Sequence, residues 1–438
     1  MIEEKQKVVI VSAFGRGNWL AAEIQSTLGC EVHLVDVTDS LGRWTPEDWE
    51  GPFGLFQTGK LSLTQNARLD EEDYADAVEE GFCVWTKSGP LDLRGSHSNY
   101  LLEKRNIGAE VQEYLSDDGQ ISEKTKTELK KNIMNLPFAQ SWLACLAHSI
   151  AGSSYVSSIK AMSKNQPLSI FSPFSVRRAS RRGVEKSWDW VRSRRVKVYS
   201  KAKVKDIFIE GSSIRSVEIE SDWSGVLPAD QVIWALNGLE TRRLGRKFEE
   251  LLFSNAVSEP DWVWLRYRID LACPSHLQES LPMKFVLIED LALPWTHANM
   301  QLVQKTSMRD SYDLWVRIPS GHRFQKKYIE DTAKEILEIL KARLPGSEPA
   351  VVDYPQDYLY DEATLGPSRF VVYNDDRLNQ IKRKNYSNIH HDSTDLCDSM
   401  DWVGQFSHQN RVFEFIKSWK TEVDRKIEKQ KAKERESV

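Results

Sequence analysis

The residues best suited to chemistry stand near the start of the chain. An apolar run, Val8 to Val11, leads into Ser12, Phe14, Gly15 and Gly17. A second apolar run, Val32 to Val35, ends on Asp36, twenty-four positions after Ser12. A small, glycine-bearing turn between strand and helix leaves backbone N–H groups at the helix N-terminus, where the macrodipole favours phosphate. Strand, glycine turn, helix and acid-terminated strand is the order of a βαβ mononucleotide-binding half. Near the other end, His390 and His391 stand with Asp392, Asp395 and Asp398. These are metal-ligand residue types without a recognised ligand spacing, and they read as a polar surface loop. The chain has no G-x-S-x-G, H-E-x-x-H or P-loop, so it gives no support to hydrolase chemistry of those types.

Elements must be found to carry these groups. After Asp36, Pro46, Gly51, Pro52 and Gly54 define a loop with aromatic anchors. Residues 60–120 are polar and acidic, and 122–163 read as helices, the second apolar on more than one face. The stretch from Val196 to Ser221 alternates with period two around Gly211, as a half-exposed hairpin does, and the unbroken Val232–Leu236 run reads as a strand buried on both faces. A buried strand placed there suits a return of the chain to the first sheet. Strand-like runs at 261–273, 283–290, 299–307 and 311–319 precede one amphipathic helix, 326–344, stopped by Pro345 and Gly346. A short strand, a polar loop and a helix follow, and the tail from Lys426 carries no apolar face and is expected to fray.

Composition bounds the answer. With 438 residues the chain suits two joined domains, and a formal charge of −5 points to no general polyanion partner. The five cysteines are odd in number, scattered and never in C-x-x-C, which suits a reducing compartment and suggests neither a disulfide framework nor a zinc site. With no long apolar run and no signal-like N-terminus, the expectation is a soluble, cytoplasmic protein. Twelve Lys or Arg against two acids between Arg177 and Lys205 make a local basic stretch, interleaved with Trp188, Trp190 and Tyr199. Phosphate contacts and stacking could grip nucleic acid there, but the rest of the chain is acidic. A solvated face, or contact with an acidic protein or a membrane surface, is the better reading.

In order and kind, four pieces of this chain resemble the FAD-dependent amine oxidases, protoporphyrinogen oxidases and phytoene desaturases. The first is VVIVSAFGRGNWLAAEI with EVHLVDVTDSLGRW; the resemblance places Asp36 on the ADP ribose hydroxyls and Gly42 and Arg43 on the family's Gly-Arg. The second, RRVKVYSKAKVKDIFIEG, puts Val204 where the family's valine presents backbone groups to adenine. The third, ADQVIWALNG, is similar to the strand and turn covering the dinucleotide. The fourth is the C-terminal strand, loop and helix, whose acid beside the ribityl chain and pyrophosphate falls on Asp392 or Asp398. The resemblance implies an α/β fold: a Rossmann-like FAD/NAD(P)-binding domain from 1–60, 150–255 and 375–425, with an α+β substrate-type domain from 60–150 and 255–375, and a charged tail at 426–438.

The chain also departs from that pattern. Taken from the strand end, the family's G-x-G-x-x-G falls on Ser12, Phe14 and Gly17; a one-residue insertion would instead give Gly15 the central role. With Arg411 aligned to the family's arginine, Gln405 and Phe406 stand on the small Gly-Ala step beside the flavin ring. Two functions follow. One is a flavoenzyme in which FAD oxidises an amine or an apolar small molecule. The other is a cofactor-free relative acting as a scaffold or partner-binding protein. No catalytic residue is indicated.

Overall fold

The computed structural model describes residues 5–13, 15–38, 55–57, 75–80, 82–86, 89–92, 175–179, 181–255, 262–275, 281, 284–289, 296–306, 310–323, 325–354, 382–392 and 402–436. Phe14, Gly42, Arg43, Asp395, Asp398 and the helices expected over 122–163 lie outside these residues.

The first unit forms as its pattern dictates. β1 (Lys7–Ser12) and β2 (Glu31–Asp36) pair in parallel, Val8 with Val32 through Ser12 with Asp36, and α1 (Asn18–Leu28) crosses between them. Both strands are buried on both faces, which is why their sequences are apolar without alternation. Gly29 ends α1 in the left-handed region, φ 67°.

Later segments return to this sheet. β8 (Lys197–Tyr199) pairs in parallel with β2, β12 (Gln231–Trp234) with β1, and β18 (Ile389–His391) with β12, giving the order β18-β12-β1-β2-β8. The chain therefore runs from β1 to β2 on one side and takes up β12 on the other. That reversal leaves a crevice at the carboxyl ends of β1 and β12, the place where open α/β sheets take ligands. On one face, α1, α2 (Arg181–Ser193) and α6 (Trp402–Glu436) enclose Ile10, Leu20, Ile24, Leu34, Trp188, Ile233, Phe413 and Ile416. On the other, the antiparallel sheet of β9 (Lys203–Glu210), β10 (Ser213–Glu220) and β11 (Ser224–Pro228) packs Val204, Ile214 and Val217 against Val9, Val11 and Trp234. The short helices α3 (Gly238–Leu244) and α4 (Arg246–Leu252) follow β12.

A second sheet has the order β17-β13-β16-β15-β14-β5-β6. Its strands are β5 (Phe82–Thr86), β6 (Gly89–Asp92), β13 (Trp262–Ala272), β14 (Lys284–Ile288), β15 (Met300–Lys305), β16 (Ser311–Pro319) and β17 (Glu348–Asp353). α5 (Lys326–Arg343) covers one face, setting Ile329, Ala333, Ile336 and Leu340 against Leu265, Tyr267, Leu314 and Val316. This is the strand series and helix read from the sequence.

The basic stretch begins in a strand: β7 (Ser175–Ala179) lies between β3 (Leu55–Gln57) and β4 (Ala75–Glu80), with Arg177 opposite Phe56 and Val78. Two expectations change. His390 and His391 sit in β18 and not in a surface loop, because the parallel ladder to β12 continues through them. The charged tail, expected to fray, is helical to Glu436 as the continuation of α6, whose N-terminal half is anchored by Val412, Phe413 and Ile416. No helix among the described residues is long and apolar enough to cross a membrane.

Ile336 is 1% exposed between α5 and the second sheet. Ile336→Ala is expected to lower unfolding free energy by about 2–5 kcal/mol through lost burial and the cavity left behind, read by chemical denaturation.

Candidate functional site

The turn after β1 is built by its own side chains. Gly15 has φ +70°, the left-handed conformation that suits glycine. Gly17 lies close over β1: an added Cβ would stand 3.0 Å from Ser12 Cβ and Oγ and 3.1 Å from Ile10 Cγ2. It is the helix-packing glycine. Its N–H donates to Ser12 Oγ at 2.8 Å, so the serine at the first glycine position takes an N–H at the helix start.

Asp36 turns inward. Its Oδ2 accepts the Gly15 N–H at 2.8 Å, and its Oδ1 accepts from Thr38 N at 2.9 Å and Thr38 Oγ1 at 2.6 Å. The residue is 0% exposed. A carboxylate out of water must be satisfied by donors, and these three supply that need. The backbone beyond Asp36 is held as well: Ala202 N donates to its carbonyl at 3.0 Å and Lys201 N to that of Thr38 at 3.2 Å. That contact brings β9 and Val204, 4% exposed, beside the end of β2.

Arg16 joins the two ends of the chain. Its Nη2 donates to Glu240 Oε1 and Oε2 at 2.7 and 2.6 Å, and its Nε to Ala13 O at 3.2 Å. Its carbonyl accepts from Gln409 Nε2 of α6 at 2.6 Å. Glu240 is fixed from its own side by a capping box: its N–H donates to Asn237 Oδ1, and its Oε2 accepts the Asn237 N–H, each at 2.9 Å.

Asp392 follows β18, where its N–H donates to Trp234 O at 2.9 Å. Its carboxyl is buried, with Oδ1 3.9 Å from His408 Nε2 and Oδ2 without a hydrogen-bond partner among the described residues. Burial pushes its pKa up to about 7, against the opposing pull of Arg16 and the Gln409 side chain. Burial, with help from Arg383, His390 and His408, pushes His391 down to about 3, so its ring is neutral. His408 Nε2 lies 2.9 Å from the His391 carbonyl, a distance at which the ring N–H donates.

Ser12, Gly15, Gly17, Asp36, Val204 and Asp392, expected to act together, thus gather at the carboxyl ends of β1, β2, β12 and β18. Gly42, Arg43 and Asp398 lie outside the described residues, as do the side chains of Gln405 and Phe406. Sequence reading missed Arg16, Thr38, Glu240, His408 and Gln409. The Asn-x-x-Glu spacing from Asn237 to Glu240 is a capping-box signature that could have marked Glu240, though not its partner.

Comparison with solved structures agrees with this architecture. The chain shares its fold with solved structures of oxidoreductases. An oxidoreductase from Methanosarcina mazei superposes with TM-score 0.53 at 14% identity, covering 93% of this chain and 100% of that one. A putrescine oxidase variant gives 0.52 at 13% identity over 95% and 100%. A protein assigned as a protoporphyrinogen oxidase from Exiguobacterium gives 0.51 at 13% over 94% and 99%. No protein-family model matches the sequence, and no curated protein sequence matches it significantly.

The described residues do not present what FAD requires of this fold. The ribose hydroxyls need an accessible carboxylate, whereas Asp36 is fully buried and spent on Gly15 and Thr38. The pyrophosphate needs open N–H groups at the turn, whereas those of Gly15 and Gly17 donate to Asp36 and Ser12. The Glu240 carboxylate adds a negative charge on Arg16 in the same crevice.

Two measurements follow. Asp36→Asn replaces one carboxylate oxygen by an amide donor facing the Gly15 or Thr38 N–H, and is expected to cost about 1–3 kcal/mol, read from denaturation midpoints. Asp392 holds its proton in the native state to about pH 7, against 3.8 unfolded. The native state therefore binds more protons between these values, and stability falls as pH rises through them. Asp392→Asn does not titrate, so its unfolding free energy should gain on the wild type from pH 4 to pH 8 and level off above. Paired urea titrations at pH 5 and pH 8 read the difference.

Proposed function

We propose that this protein is a cofactor-free member of the flavoprotein fold that works by binding a partner. The observation that carries the reading is the Asp36 carboxylate, 0% exposed and accepting the Gly15 N–H at 2.8 Å. The two groups that would grip the ADP moiety grip each other. Fold likeness does not restore the activity, since function resides in the site.

The partner surface that composition favours is the basic one. Arg192, Arg195, Lys197, Lys201 and Lys203 are exposed along α2, β8 and the start of β9. Several carry local acids: Arg192 pairs with Asp189 and Lys197 with Glu31. An acidic protein segment is the partner such a face suits, through steering more than through any one ion pair. Trp188 is buried in the core and unavailable for stacking on bases, which argues against nucleic acid. Cysteines scattered along the chain, with Cys30 and Cys273 free, favour a reducing compartment such as the cytoplasm.

A second reading has its own support. Asp392, one of two acids the resemblance aligns with an acid at the ribityl chain, has an Oδ2 without a hydrogen-bond partner among the described residues. In that reading the protein is an FAD-dependent oxidoreductase of the amine oxidase class, acting on an amine or an apolar small molecule. FAD would supply the redox chemistry; Asp392 would accept from a ribityl hydroxyl, and Asp36 would have to turn outward to hold the ribose.

The purified protein distinguishes the two. The cofactor-free reading expects no absorption band near ~450 nm and no quenching of FAD fluorescence on titration. A flavin band released on denaturation, or saturable FAD uptake, overturns it.

A further inference from the structure

Arg16 comes from the turn after β1 and Glu240 from the first turn of α3, which follows the neighbouring parallel strand β12. Their side chains are each 11% exposed, so the contact is made largely out of solvent, where screening is weak. Glu240 accepts on both oxygens from the same guanidinium nitrogen and takes the Asn237 N–H on one of them. A guanidinium and a backbone N–H around one oxyanion are the donors that recognise a phosphoryl oxygen equally well. Here that oxyanion belongs to the protein.

We propose that the Arg16–Glu240 pair is an autoinhibitory latch, in which Glu240 occupies the guanidinium that a diphosphate-bearing ligand would otherwise take. Closed, the latch ties the turn after β1 to the turn after β12. Gln409 on the Arg16 carbonyl ties α6 to the same point. Glu240 can give up Arg16 without loss of the helix start, because the Asn237 half of the capping box keeps it in place. Among the described residues Asp392 is a second acid near Arg16, and burial raises its carboxyl toward neutrality.

The inference rests on the reading that the crevice is closed to FAD, and the two fail separately. FAD uptake by the wild type overturns that reading; the latch is tested by inorganic pyrophosphate on the full chain. Glu240→Gln removes the charge and keeps a residue that serves the capping box. By isothermal titration at low ionic strength, E240Q is expected to bind pyrophosphate at least about tenfold more tightly than wild type, a difference of ~1.4 kcal/mol. Adding Arg16→Ala to E240Q should abolish the gain. Equal affinity in wild type and E240Q, or a gain that persists without Arg16, overturns the proposal. Should E240Q fail to fold, Glu240→Asp keeps the charge but shortens its reach; it should give a smaller gain in the same titration, and no gain would overturn the latch equally.

Discussion

The buried carboxyl of Asp36 is the constraint on which the surrounding turn depends. A carboxylate with no solvent contact is tolerated only if donors meet it, and here they are the Gly15 N–H, the Thr38 N–H and the Thr38 hydroxyl. To deliver its N–H, the turn after β1 adopts a left-handed residue at Gly15, and the chain then enters α1 over Gly17. The shape of that turn sends the Arg16 side chain toward β12 and its carbonyl toward α6.

Segments far apart in sequence converge on this point because each contributes one group that the others need. Glu240 comes from the start of α3 after β12, Gln409 from α6, and residues 201 and 202 cap the carbonyls of Thr38 and Asp36. The order β18-β12-β1-β2-β8 makes these meetings possible, since it sets the carboxyl ends of five parallel strands side by side. Where an open α/β sheet takes its ligands, the described polar groups are hydrogen-bonded to one another. A fold can keep its packing while its site changes, because the packing rests on buried aliphatic faces and the site on a few polar contacts.

Much of the fold was legible in the sequence for a local reason. Unbroken apolar runs at 8–11 and 232–236 marked strands buried on both faces, alternation around Gly211 marked the hairpin, and the spacing of Ile329, Ala333, Ile336 and Leu340 marked α5. Misreadings arose where local pattern is weak. His390 and His391 are polar residues in a strand whose place is set by its ladder to β12, and the end of α6 is charged on all sides and helical by continuation.

The sequence by itself determined the βαβ unit, the return of the chain to it, and which positions could face a nucleotide. Tertiary structure alone decided which way those positions face. Asp36 at a strand end reads the same whether it points to solvent or inward, and only the Gly15 and Thr38 donors distinguish the two. The Arg16–Glu240 pair spans more than two hundred residues of sequence, a separation at which no periodicity or spacing carries information. Contacts of that kind exist only once the sheet has set its strands side by side.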